Sequence, residues 1–112
     1  LEFVLKAVKK KILPEIYKLG RWWNKNTEID LVGLDETTNS IMFVETKWNN
    51  QKVDLRVLKD LQKKSVEVKW GEIDRKEYFV LISKSGFTEE VLEMAKIDSS
   101  LFLIERGEVV EG

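Results

Sequence analysis

Residues 28–47, EIDLVGLDETTNSIMFVETK, predict a β-hairpin that determines how the rest of the chain is arranged. The segments 28–35 and 40–47 alternate apolar and polar side chains, as half-buried strands do. The segment 36–39 between them is polar and has the composition of a turn. We therefore expect two antiparallel strands with a short connection.

Four charged side chains lie at the open end of this predicted hairpin. When the last residue of the first strand pairs with the first residue of the second, Asp30 faces Glu45 and Glu28 faces Lys47. Strand alternation then places all four on one face of the sheet, where a cleft could form. Facing carboxylates repel each other, and a bound divalent cation would offset that repulsion.

Composition excludes several classes of chemistry. The chain has 112 residues, enough for one domain, and it is 43% hydrophobic and 35% charged. It contains neither cysteine nor histidine, so disulfides, thiolate chemistry, the usual zinc ligands and a Ser-His-Asp triad are excluded. Any catalysis must use carboxylates, lysines, hydroxyls or a hard metal ion.

No membrane or export signal is present in the sequence. The longest apolar run is well short of the roughly 18 residues of a membrane span, and no signal-peptide pattern occurs. We expect a cytoplasmic protein with no membrane partner.

Charge is unevenly distributed along the chain. The overall charge is −1, but residues 1–69 carry 14 basic and 10 acidic side chains, whereas residues 70–112 carry 5 and 10. The hairpin thus lies in the basic half, where a polyanion could approach. Ordinary solvated surface charge explains the same distribution.

The remaining segments predict an α/β domain. Pro14 ends a first helix, Asp54 caps a second that Trp70-Gly71 closes, and Thr88 caps a third. The predicted elements are a helix at 2–12, strands at 16–23, 28–35 and 40–47, a helix at 54–69, a strand at 77–83, a helix at 88–96 and a strand at 101–105. The order α-β-β-β-α-β-α-β predicts a three-layer α/β/α domain with a central mixed β-sheet.

These residues carry a resemblance to a known superfamily. Asp30 followed by Glu45-Thr46-Lys47 is similar to the signature of PD-(D/E)XK nucleases, which include archaeal Holliday junction resolvases and many restriction enzymes. The element order resembles their common core. The runs at 20–30, 45–58 and 79–87 look more specifically like the uncharacterised C-terminal domain of archaeal AAA-type ATPases. The resemblance implies that residues 1–112 form one restriction-endonuclease-like domain, the C-terminal part of a larger ATPase.

The resemblance also implies a mechanism and a set of site residues. Asp30 and Glu45 would hold Mg²⁺ or Mn²⁺, with the Thr46 backbone carbonyl and Glu2 as further ligands. The metal would activate water and stabilise charge on a scissile DNA phosphate. Lys47 would orient the nucleophile or neutralise the transition state. Structure-selective cleavage of DNA is the activity that the resolvases suggest.

Two further surfaces are candidates for contacts with partners. A basic stripe on the second helix would lie along DNA phosphates, or would simply face solvent. Its members are Lys52, Arg56, Lys59 and Lys63. Strand 101–105, if it lies at a sheet edge, would pair two copies into a homodimer.

Other interpretations of the same residues remain open. Glu28 and Lys47 could form a cross-strand ion pair, while Asp30 and Glu45 could be solvated acids at the end of a sheet. Glu28 could also be an outer group of a metal site. The domain could likewise be a non-catalytic DNA- or protein-binding module of an ATPase that retains the nuclease fold.

Overall fold

The predicted hairpin forms with the predicted register, since Asp35 pairs with Ser40 and Leu31 with Val44 in the computed structural model. The structure describes residues 18–24 and 26–110. Its elements are β1 (Lys18–Asn24), β2 (Thr27–Asp35), β3 (Ser40–Lys47), α1 (Leu55–Ser65), β4 (Lys76–Ser83), α2 (Glu89–Ile97), β5 (Leu101–Glu105) and β6 (Glu108–Val110). The predicted helix at 2–12 lies outside the described residues.

The six strands form one mixed sheet in which spatial order follows chain order. β1, β2 and β3 are antiparallel neighbours, β3, β4 and β5 run parallel, and β6 returns antiparallel to β5. Each parallel connection contains one helix, as such crossovers usually do. The carboxyl ends of the three parallel strands therefore meet at one edge of the sheet, and Lys47 lies there.

Both faces of the central strands are buried. Leu58 and Leu61 of α1 and Val91 of α2 belong to the same buried cluster as Phe43 and Leu81, so both described helices pack on one face. The opposite face holds a second buried cluster. Its members are Met42, Val44, Val80, Ile82 and Ile104. Burial on both faces explains the unbroken apolar run of β4, and the α/β class with a mixed sheet is confirmed.

A β-bulge interrupts β2 next to the predicted site. Gly20 pairs with Val32, but Trp22 pairs with Ile29, so one residue of β1 opposes two residues of β2 between these pairs. Such an insertion bends a strand and shifts its side-chain alternation. The alternation pattern in the sequence does not reveal it.

The bulge moves Glu28 away from the face on which it was predicted. Ile29 and Val32 belong to the same buried cluster, although strict alternation would place them on opposite faces. Glu28 therefore faces the other side of the sheet, and its carboxylate pairs with the Arg21 guanidinium. The prediction that Glu28 lies opposite Lys47, on the same face as Glu45, is wrong because of this inserted residue.

The start of α1 agrees with the prediction, whereas its end does not. Asp54 caps the start as predicted, accepting a hydrogen bond from the Arg56 backbone N–H at 3.0 Å. The helix ends at Ser65 rather than near residue 69, and Gly71, with φ of 78°, lies in the following loop. The later helix matches more closely: it follows Thr88 and ends at Ile97, although the Thr88 hydroxyl makes no capping hydrogen bond.

The early end of α1 coincides with a clamp formed by Arg75. Its guanidinium donates to the carbonyl oxygens of Ser65, Val68 and Trp70 at 2.7–3.1 Å, and it pairs with Glu77. The side chain is only 12% exposed. Three main-chain acceptors, one at the last residue of the helix and two after it, are thus satisfied by one side chain just before the next strand.

Strand 101–105 is present with the predicted bounds but does not lie at an edge. β6 pairs along it, joined by a two-residue turn in which Arg106 and Gly107 both have positive φ. The condition under which this strand would pair two copies, a position at the sheet edge, is therefore not met, because the short β6 covers it. Within the described residues, neither helix has the length and apolar character needed to cross a membrane.

Arg75→Met should lower the free energy of unfolding by about 2–4 kcal/mol, because it leaves buried carbonyl oxygens without a donor. Lys76→Met is the matched control, since Lys76 is the next residue and is exposed. Urea denaturation of both variants measures the difference. Equal losses in the two variants would show that the clamp contributes no more than a surface cation.

Candidate functional site

Glu45 is a buried acid at the end of β3. It retains 8% of its surface, and its Oε1 atom accepts no hydrogen bond from the described residues. Two ammonium groups bracket the carboxylate: Lys47 Nζ lies 3.8 Å from Oε2, and Lys64 Nζ lies 3.8 Å from Oε1. These separations give charge compensation without a short charge-assisted hydrogen bond. The structure thus contradicts the interpretation of Glu45 as a solvated acid.

Asp30 lies in the bulge of β2 and is fixed by a main-chain contact. Its Oδ2 atom accepts a hydrogen bond from the Thr46 backbone N–H at 2.9 Å. The paired register of β2 and β3 ends at Leu31 and Val44, so this side-chain contact follows directly after the last ladder pair. It holds the Asp30 carboxylate beside the residue that follows Glu45.

The pKa of Glu45 is raised above its ordinary value. Burial is the largest cause, and the negative charge of Asp30 is the next; Lys64 and Lys47 lower the pKa, and Asp60 raises it again. Burial and neighbouring acids together therefore outweigh the two lysines. Three carboxylates against two ammonium groups leave a surplus of negative charge, which suits a bound cation.

Among the predicted site residues, the structure brings Asp30, Glu45 and Lys47 into one charged cluster. The Thr46 contact in this cluster is made by its backbone N–H, not by the backbone carbonyl that was predicted as a ligand. Glu2, the remaining predicted ligand, lies outside the described residues. Sequence reasoning missed Asp60 and Lys64, which reach the site from α1. Their spacing of four residues places both on one side of the helix. This spacing is the sequence pattern that could have indicated that they act together.

The two carboxylates of Asp30 and Glu45 are of the kind that a hard divalent cation binds, but they provide only part of its ligands. Asp30 and Glu45 offer two carboxylates, and Oε1 of Glu45 is buried without a hydrogen bond. No group of three or more acidic side chains that could hold a metal occurs among the residues that the structure describes. Further ligands would have to come from main-chain carbonyls, water or the part of the chain not described.

An open cleft of about 480 Å³ adjoins this site. Its lining includes Glu45, Lys47 and Asp60, together with Lys52 and Arg56. Of the predicted basic stripe, these two residues thus border the cleft. Lys59 and Lys63 are exposed on α1 but do not form part of the cleft lining.

A family match covers the strands that build this site. The model of DUF234, a family of archaeal and bacterial proteins of unknown function, matches residues 1–58. The chain belongs to this family. The matched region of this DUF234 chain includes Asp30, Glu45 and Lys47, and it ends before Asp60 and Lys64.

One relative extends the comparison beyond that region. An uncharacterised protein of Methanocaldococcus jannaschii is 36% identical over 92 residues, which cover 80% of this DUF234 chain and 20% of the relative. The chain thus spans about a fifth of that protein's length. No solved structure matches this DUF234 chain.

The raised pKa of Glu45 predicts how stability changes with pH. The folded protein binds this proton more tightly than the unfolded chain, so the stability that Glu45 contributes is present at acidic pH and lost as the pH rises through its raised pKa. The free energy of unfolding of Glu45→Gln, relative to the wild type, should therefore increase from acidic to neutral pH.

Urea denaturation over that pH range, with a chelator present, measures this difference. Glu67→Gln, which removes an exposed acid just after α1, controls for the loss of a surface charge. A difference between Glu45→Gln and the wild type that stays constant or falls with rising pH would contradict the assignment.

Proposed function

We propose that this domain is a metal-dependent nuclease of the PD-(D/E)XK type that hydrolyses phosphodiester bonds in DNA. One observation carries the proposal: the buried Glu45 carboxylate, with an unbonded Oε1, lies next to the Asp30 and Lys47 charges at the mouth of an open cleft. The resemblance of Asp30 and Glu45-Thr46-Lys47 to the superfamily signature supports the same assignment.

The side chains divide the work of such a reaction between them. Asp30 and Glu45 would hold Mg²⁺ or Mn²⁺, which supplies Lewis-acid activation of water and of the phosphate when bound. Lys47, whose ammonium lies 3.8 Å from Glu45 Oε2, would neutralise the charge that develops on the phosphate. Lys52 and Arg56 would bind the DNA backbone along the cleft.

The wider setting of the domain is part of the proposal. The resemblance to C-terminal domains of archaeal AAA-type ATPases suggests an ATPase domain as partner. The chain spans only a fifth of its archaeal relative, which leaves room for such a domain in a longer polypeptide. Cleavage that depends on DNA structure, as in resolvases, is the corresponding proposal for the substrate.

A second candidate is a non-catalytic module that binds DNA or a protein. The observation in its favour is that Lys47 and Lys64 already bracket Glu45, so the acid is partly compensated without any metal. Such a module would bind DNA in a salt-sensitive manner and would cleave none. The two candidates therefore differ in turnover rather than in binding.

Cleavage assays with branched and linear DNA in Mg²⁺ or Mn²⁺ test the first candidate. We expect Asp30→Asn and Lys47→Met each to reduce the cleavage rate by roughly 100-fold or more, because each removes a charge that acts on the transition state. Asn retains an oxygen acceptor for the Thr46 N–H, so this contact between β2 and β3 is kept.

Glu28→Gln is the matched control for these variants. Glu28 is an acid on the same strand, but it pairs with Arg21 away from the site, so its variant should cleave like the wild type. Cleavage that survives Asp30→Asn and Lys47→Met would place the activity elsewhere. No cleavage by the wild type, with DNA binding retained, would favour the non-catalytic module.

The position of the cleft predicts which basic residues contact DNA. Lys52→Gln should weaken DNA binding severalfold and reduce the slope of log K against log salt by about one, because one phosphate contact is lost. Lys59→Gln should leave both quantities nearly unchanged, since Lys59 is exposed but lies outside the cleft lining. Fluorescence anisotropy at several salt concentrations measures the DNA affinity and its salt slope. Equal effects of the two substitutions would show that DNA extends along α1 rather than staying within the cleft.

A further inference from the structure

We propose that Lys64 occupies the cation position at Glu45 when no metal is bound, so that a divalent cation and the Lys64 ammonium compete for one carboxylate oxygen. This inference rests on the proposed function, because it takes Glu45 as a metal ligand. Lys64 belongs neither to the predicted motif nor to the region matched by the family.

The Lys64 ammonium is the cation nearest to the buried Oε1 atom of Glu45 among the ion pairs of the described residues. Lys64 reaches this atom from the last turn of α1, and its Nζ lies 3.8 Å away. Oε1 is buried and accepts no hydrogen bond from the described residues. The ammonium therefore compensates charge without the short hydrogen bond that would lock the pair. A divalent cation, with twice the charge, is attracted more strongly to the same oxygen.

Asp60 provides a second partner for the Lys64 ammonium. Its Oδ2 atom lies 3.4 Å from Lys64 Nζ, one helical turn earlier on α1. Asp60 is 64% exposed, whereas the Lys64 side chain is only 25% exposed. An ammonium displaced from Glu45 therefore retains a carboxylate partner and is not left as an uncompensated charge. Lys64 can therefore release Glu45 to a metal ion and keep its ion pair with Asp60.

Mn²⁺ binding at one fixed, mildly alkaline pH tests the competition without any DNA. Lys64→Gln removes the competing charge and should tighten Mn²⁺ binding by at least about fivefold. Without metal the same variant should melt at a lower temperature than the wild type, and Mn²⁺ should raise its melting temperature by more. Isothermal titration calorimetry and thermal unfolding measure the two effects.

Two further variants separate charge from position. Lys63→Gln removes the neighbouring, exposed lysine and should leave Mn²⁺ affinity unchanged. Lys64→Arg keeps the positive charge and should bind Mn²⁺ like the wild type. If Lys64→Gln does not fold, Lys64→Met retains the aliphatic chain and undergoes the same titration.

The outcomes distinguish this inference from the proposed function. Wild-type protein that binds no Mn²⁺ overturns both. Wild-type binding that is unchanged or weakened in Lys64→Gln overturns the competition and leaves the metal site standing. Tighter binding in Lys64→Gln, with Lys63→Gln unchanged, supports the assignment of Lys64 as the resident cation.

Discussion

The buried carboxylate of Glu45 is the constraint on which the arrangement of the site depends. Removing an ionised acid from water is unfavourable unless other charges or hydrogen bonds compensate it. Here the compensation comes from two lysines on different elements, one on the same strand and one on α1. Neither forms a short contact, and burial still raises the pKa of the acid. The packing of α1 against β3 therefore involves electrostatic as well as apolar contacts.

The bulge in β2 determines which acid joins Glu45. Since one inserted residue shifts the alternation, Glu28 turns away to pair with Arg21. Asp30 instead lies in the irregular segment, where its carboxylate accepts the Thr46 backbone N–H. Bulges frequently re-aim side chains next to functional sites. In this domain the effect is to separate two acids that a regular strand would have placed together.

The sequence predicts the features that depend on local pattern. The hairpin register, the Asp54 cap and the bounds of β3 follow from alternation and turn composition within about twenty residues. The features that it misses depend on contacts between distant segments or on a single inserted residue. The Arg75 clamp binds carbonyl oxygens where α1 ends, and Lys64 joins the site only because α1 packs beside β3. β6 is three residues long, too short for periodicity to reveal.

The direction of the Glu45 pKa helps to weigh the two candidate functions. An ion pair selected for stability normally lowers the pKa of its acid, because the partner cation favours the charged form. The pKa of Glu45 is raised although two lysines lie within 4 Å of it. The cluster therefore holds an acid in an environment that disfavours its charge, a condition more typical of functional sites than of structural pairs. A divalent cation held by Asp30 and Glu45, as the proposed nuclease function requires, would relieve that condition.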